Sequence, residues 1–293
     1  MKAKAVIFLS MVLISTFAAL NVGGFQGTDL SRVEFENEGI TLVGQVLLPQ
    51  GEGPFPAVVM VHGSGRATRR SGSGLATQLV AAGIAVLSYD KRGVGESAGT
   101  YSNVGPQNSR AILRALATDA LAGLAFLQTL DQIDPDEVGL FGNSQAGWII
   151  PLAASLSDQV DFAAILVGPT VSVGEEIFYS DLTGNNVANT TEERLDEISE
   201  QLAAFNGNKG FSPRESIETM TTPGLWVLGG RDESIPTRET IVILEEVIDE
   251  FDKEITIHLF PSGTHGLRDA NSGQSLPFMS QVTIPWILDQ VTD

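Results

Sequence analysis

Six short β-rich runs, each closing on Gly, Ser or Asp, constrain this chain more than any other feature. "PFPAVVMVHGSG" leads. Its stretch Ala57 to Val61 is continuously apolar, as a strand covered on both faces must be. "GIAVLSYDKRG", "EVGLFGNS", "VDFAAILVGPT", "PGLWVLGGRD" and "KEITIHLFPSGTHG" repeat the design. Helix-like stretches separate them: Ser71 to Ala82, Asn108 to Leu130, Ala146 to Leu156, Thr237 to Phe251 and Leu276 to Val291. In the second of these, Ile112, Leu113, Leu116, Leu121 and Leu124 recur at helical spacing. Pro151 removes one backbone donor from the third. Strands alternating with helices predict an α/β fold built on a mostly parallel central sheet, with helices on both faces. Ahead of the series, "SRVEFENEGITLVGQVLLP" alternates apolar and polar residues around Glu38-Gly39, which predicts a hairpin adding antiparallel strands at one edge.

The expected domain organisation is a leader over residues 1–24 and one domain over 25–293, close to the roughly 250 residues to which a single α/β domain can run. Lys2 and Lys4 precede an apolar run from Ala5 to Leu20, the shape of a secretory signal peptide. That run is short for a membrane span, which needs about 20 apolar residues. Export to the periplasm or medium is therefore expected, with an uncleaved N-terminal anchor as the alternative. Residues 174–220 break the strand–helix rhythm: they are polar, acidic, and helix-like around "TEERLDEISEQLAAF". Lying between two core strands, they are expected to form a small helical cap or lid; the alternative is a solvated surface excursion.

Composition narrows the chemistry. The net charge of −19 argues against nucleic acid, whose phosphates demand a basic face, and against anionic lipid. With no cysteine there is no disulfide, no thiolate nucleophile and no cysteine-held metal. Only three histidines occur, in three separate strand-end contexts and without an H-E-x-x-H pattern, so neither a metal nor a cofactor is expected.

The run "GLFGNSQAGW" places Ser144 where a strand gives way to a helix. A sharp turn there exposes the hydroxyl at the carboxyl edge of the sheet and needs small neighbours, which Gly142, Ala146 and Gly147 supply. The pattern is G-x-S-x-G with Ala146 at the final position. A serine hydroxyl needs a base. His258 alternates within "ITIHLF" and reads as a strand residue. His62 closes a core strand and reads as loop-shaping. His265, in the glycine-flanked loop "PSGTHGL", is the expected base. Asp232, at the strand end of "VLGGRDESIP", is the expected acid that orients it; the alternative is a helix-capping Asp. The backbone N–H groups of Ser64 and Gln145 are the expected oxyanion donors.

The order Ser144, Asp232, His265 is that of α/β-hydrolases. With "VHGSGR", "YDKRGVGESAG", "GLFGNSQAG", "GGRDESIP" and "GTHG", the chain resembles a serine hydrolase of the α/β-hydrolase superfamily, in its dienelactone-hydrolase-like and prolyl-oligopeptidase-like branch. The resemblance runs from about Val33 to the C-terminus and implies the α/β-hydrolase fold, an acyl-enzyme on Ser144 and no cofactor. Arg66 stands where related chains often carry proline. The expected substrate is a small-molecule ester or other acyl compound; an amide, a thioester, or a non-catalytic binding role on the same fold are the alternatives.

Two further features have competing readings. "GVGESA", Gly93 to Ala98, nearly matches a dinucleotide fingerprint, but Gly99, Gly105 and Pro106 separate it from the next helix, so Asp90 and Arg92 are read as fixing a turn. Arg66, Arg69 and Arg70 form a basic island that either holds a substrate carboxylate or is a solvated loop.

Overall fold

A computed structural model describes residues 7–9, 29–184 and 191–291. The strands are β1 (Ile7–Leu9), β2 (Asp29–Asn37), β3 (Ile40–Leu47), β4 (Phe55–Val61), β5 (Ala85–Tyr89), β6 (Ile133–Asn143), β7 (Ala163–Leu166), β8 (Gly224–Gly229) and β9 (Ile255–Phe260). They form one sheet in the order β1-β9-β8-β7-β6-β4-β5-β3-β2. All neighbours from β1 to β5 in that order are parallel, and β3 joins β5 and β2 antiparallel. The hairpin turn is Glu38-Gly39, both residues at positive φ (50° and 78°), as a tight two-residue turn between right-twisted strands requires. The expected leader over residues 1–24 lies mostly outside the described residues; its described part, Ile7–Leu9, pairs with β9 at the sheet edge. No helix among the described residues is long and apolar enough to cross a membrane.

The helices are α1 (Ser73–Ala81), α2 (Ser109–Leu127), α3 (Ala146–Leu156), α4 (Val173–Thr183), α5 (Glu192–Ala203), α6 (Arg214–Thr219), α7 (Thr237–Phe251) and α8 (Ile284–Val291). α1 carries the chain from β4 to β5. α2, α3 and α7 carry it the opposite way along the sheet. Right-handed crossovers therefore place α1 on one face and the other three on the second. Strands buried on both faces explain the continuous apolar runs: Val58, Val59, Val86, Leu87, Leu140, Ile165, Trp226 and Val227 are all fully buried. The C-terminal helix differs from the expected Leu276–Val291. Leu276 donates its amide to Leu267 O (2.9 Å), closing a compact loop. Met279–Thr283 then takes π-helical register before α8 begins. Pro285 lies one residue into α8 and offers no N–H to the carbonyl of Gln281, which accounts for the disturbed register.

The reversal of direction positions the site. From β4 the chain moves to β5 on one side, then crosses back to β6 on the other. The carboxyl ends of β4 and β6 thus flank a switch point, where ligands bind in open α/β sheets. The loop "HGSG" leaves β4 there, and Ser144 leaves β6 there.

Candidate active site

Ser144 joins β6 to α3 with φ at 55°, a left-handed conformation that a serine adopts only under constraint. Its amide is anchored to Leu166 O on neighbouring β7 (2.9 Å). The small neighbours are sterically necessary. A Cβ on Gly142 would lie 2.5 Å from Val61 O and 2.6 Å from the methyl of Ala146. A Cβ on Gly147 would lie 2.6–2.7 Å from the Gly168–Pro169 backbone. Alanine at 146 fits because its methyl occupies space that Gly142 leaves open.

The loops after β8 and β9 bring the expected partners to Ser144. His265 Nε2 lies 3.1 Å from Ser144 Oγ. His265 Nδ1 lies 2.9 Å and 3.1 Å from the two carboxylate oxygens of Asp232. Asp232 is buried, and its Oδ1 also accepts the amides of Ser234 (2.8 Å) and Ile235 (2.9 Å). These two amides fix the carboxylate independently of the histidine. Burial alone would disfavour a charged His265. The Asp232 carboxylate outweighs it, with help from Glu176 and Glu233, and lifts the imidazole above its ordinary value of 6.5.

The other histidines lie apart from this array. His62 is buried and hydrogen-bonded through Nε2 to Tyr89 O, and burial lowers its pKa to about 4; it braces the strand ends as a neutral ring. His258 sits on β9 against Phe260 (ring centroids 4.7 Å apart). Asp90 and Arg92 do fix the turn. Asp90 accepts the amides of Arg69 and Glu96 (2.8 Å each) and the Arg69 guanidinium. Arg92 grips buried Asp119 at 2.6 Å. Of the basic island, Arg69 is thus committed to Asp90 and Glu96, while Arg66 stacks on Tyr101 and donates to Gly93 O (3.1 Å).

The oxyanion candidates adjoin the nucleophile. A Cβ on Gly63 would stand 3.6 Å from Ser144 Cβ, so the Gly63–Ser64 peptide lies beside the serine. Among the described residues, neither the Ser64 nor the Gln145 amide donates a backbone or side-chain hydrogen bond.

The insert supplies residues that sequence reasoning did not single out. α4 faces the acid loop with three side chains: Tyr179 Oη donates to Asp232 O (2.7 Å), Ser180 Oγ to Ser234 O (2.7 Å), and Thr183 Oγ1 to Glu233 O. Glu176, one turn earlier, faces His265; burial lifts its carboxyl to about 7, against the pull of the imidazolium. α5 packs on α4 through Tyr179, Ile198 and Leu202. Its acidic face meets Arg231 and Arg238 through Glu192 and Asp196. The only hint in the sequence was the break in rhythm.

The fold, with a serine, a histidine and an aspartate meeting at its switch point, defines an α/β-hydrolase of the serine type. A family model described as serine aminopeptidase, S33, matches residues 52–213. The chain belongs to that family. The matched segment holds Ser64, Ser144 and Gln145, and Asp232 and His265 lie beyond it. Esterase EstD of Thermotoga maritima is 26% identical over 272 residues, covering 83% of this chain and 62% of that protein. This chain likewise spans only 39% and 53% of the two other curated relatives it matches. Among solved structures, DcsB in complex with a substrate analogue superposes with a TM-score of 0.64 at 18% identity, over 90% of this chain and 99% of that one. Pyrococcus horikoshii acylaminoacyl peptidase does so with a TM-score of 0.60 at 19% identity, over 92% and 41%. These likenesses bear out the expected α/β-hydrolase fold.

Proposed function

We propose that the chain is a serine hydrolase of carboxylic esters that works through an acyl-enzyme on Ser144. The observation that carries this reading is the unbroken hydrogen-bonded series Ser144 Oγ, His265 Nε2, His265 Nδ1 and Asp232. His265 removes the hydroxyl proton as Oγ attacks the acyl carbonyl. The Ser64 and Gln145 amides receive the developing oxyanion, and Asp232 stabilises the imidazolium. His265 then returns its proton to the departing alkoxide. Water enters in its place and releases the acid by the same steps. The likeness to an esterase supports the choice of ester, and the leader pattern supports an exported enzyme.

Amide cleavage is the second reading, favoured by the family description. Side-by-side kcat/KM values for p-nitrophenyl esters of graded acyl length and for aminoacyl p-nitroanilides decide between them. Esters are expected to lead; faster anilide turnover would make the protein a peptidase.

The carboxylates around His265 set the expected pH dependence. His265 acts as base only when neutral, so kcat/KM rises with pH through its pKa, which lies above 6.5. Glu176→Gln removes a carboxyl that, in its ionised form, favours the imidazolium. The acid limb of the kcat/KM profile is therefore expected to move to lower pH, leaving the variant relatively more active under mildly acidic conditions. A limb that stays in place would show that His265 does not feel Glu176.

A further inference from the structure

Lys91 lies two residues beyond the end of β5, beside the loop that leaves β4, and it is only 3% exposed. A buried ammonium is unfavourable unless acceptors replace its water. Its sequence neighbours solve this with ion pairs, Asp90 with Arg69 and Arg92 with Asp119. Lys91 has no ion-pair partner among the described residues. Its Nζ donates to Gly63 O (2.8 Å), Gly65 O (3.4 Å) and Gln145 Oε1 (3.0 Å). Those acceptors belong to the two chain segments that carry the proposed oxyanion donors.

The first contact reaches further than a strut would. Gly63 O and Ser64 N–H are the two ends of one planar trans peptide, so they point in opposite directions. An ammonium on the oxygen fixes the plane of that peptide and turns its N–H away from Lys91. Hydrogen bonding at one end of a peptide also polarises the other. The third contact draws the Gln145 side chain inward to the same ammonium, while the Gln145 backbone N–H at the start of α3 donates to no group among the described residues. One buried cation thus couples both amides across the gap between β4 and β6.

We propose that Lys91 is a positioning residue for the oxyanion hole, holding the Ser64 and Gln145 amides in register and lending the hole a positive background. This rests on the reading of Ser144 as nucleophile. Burial brings the Lys91 pKa down to about 8, so the group remains cationic at neutral pH.

The test pairs Lys91→Met with the unaltered protein. Labelling of the unaltered protein by a fluorophosphonate at Ser144 comes first; no labelling overturns the nucleophile reading and this proposal with it. Given labelling, Lys91→Met is expected to lower kcat for a p-nitrophenyl ester by roughly 10–10²-fold, less than the 10²–10³ typical of deleting a donor outright. KM should stay within about twofold. Affinity for a trifluoromethyl ketone, whose hemiketal oxygen occupies the same hole, should fall in step with kcat. Unchanged kcat in a labelled, folded variant overturns the role of Lys91 and leaves the nucleophile standing. A loss shared by KM, with analogue affinity intact, also overturns it. Lys91→Gln keeps a donor and carries the same test if the Met variant does not fold; if neither gives a cooperative melt, Lys91 is a core strut and the proposal falls.

Discussion

Ser144→Ala is expected to remove ester turnover almost completely, with kcat falling by on the order of 10⁶, the scale seen when a triad nucleophile is deleted from a protease. The reasoning is local. Alanine keeps the Cβ and the same left-handed backbone, and the amide anchor to Leu166 O is untouched. The lost atom is the one that attacks. His265 loses one partner but keeps Asp232. The melting temperature should therefore stay close to that of the parent while labelling by a fluorophosphonate disappears. Retention of more than a few per cent of the parental rate would show that another group attacks the ester.

Asp232→Asn should cost less, though still several orders of magnitude, and for a different reason. Asparagine keeps one carbonyl oxygen, and the amides of Ser234 and Ile235 hold it where Oδ1 was. Its amide group then faces His265 Nδ1 as a donor. Nδ1 must become the acceptor, which moves the imidazole proton to Nε2, the nitrogen facing Ser144. A protonated Nε2 cannot receive the serine proton. A fall of about 10⁴ in kcat follows from the protease precedent, with the fold retained. Circular dichroism and a melt would verify the fold, and single-turnover kinetics would place the loss in acylation. Near-parental activity would mean that a different acid serves His265.

The three side chains of the candidate site were legible because each follows an apolar strand, at the edge where a parallel sheet gathers its loops. Closeness to the strand end then favours Asp232 over Glu233, and the strand position of His258 and the strand-closing position of His62 leave His265. Lys91 was not legible. It stands within the turn motif "YDKRG", and its acceptors lie 26–54 residues away. Nothing in local pattern shows that a lysine will be buried without an acid. The support from α4 was hidden for a similar reason. Tyr179, Ser180 and Thr183 read as ordinary polar positions of a helix, and only the fold sets them against carbonyls about fifty residues on. Helix α3 was predicted to the residue, since a glycine-bounded turn fixes its start. The C-terminal helix was not, since apolar periodicity over Leu276 to Val291 carries no sign of where the preceding loop closes or of the π register.

The contacts of α4 with the loop after β8 bear on how such enzymes diversify. An insert that only roofed the pocket would be a replaceable part, and exchanging it would retune substrate choice while sparing the chemistry. Here the first helix of the insert is spliced into the seat of the acid. Grafting a foreign segment at residue 173 would therefore be expected to disturb the proposed proton relay together with specificity. The exchangeable boundary lies after Thr183, provided that whatever replaces α5 still covers Tyr179 and supplies acids to Arg231 and Arg238.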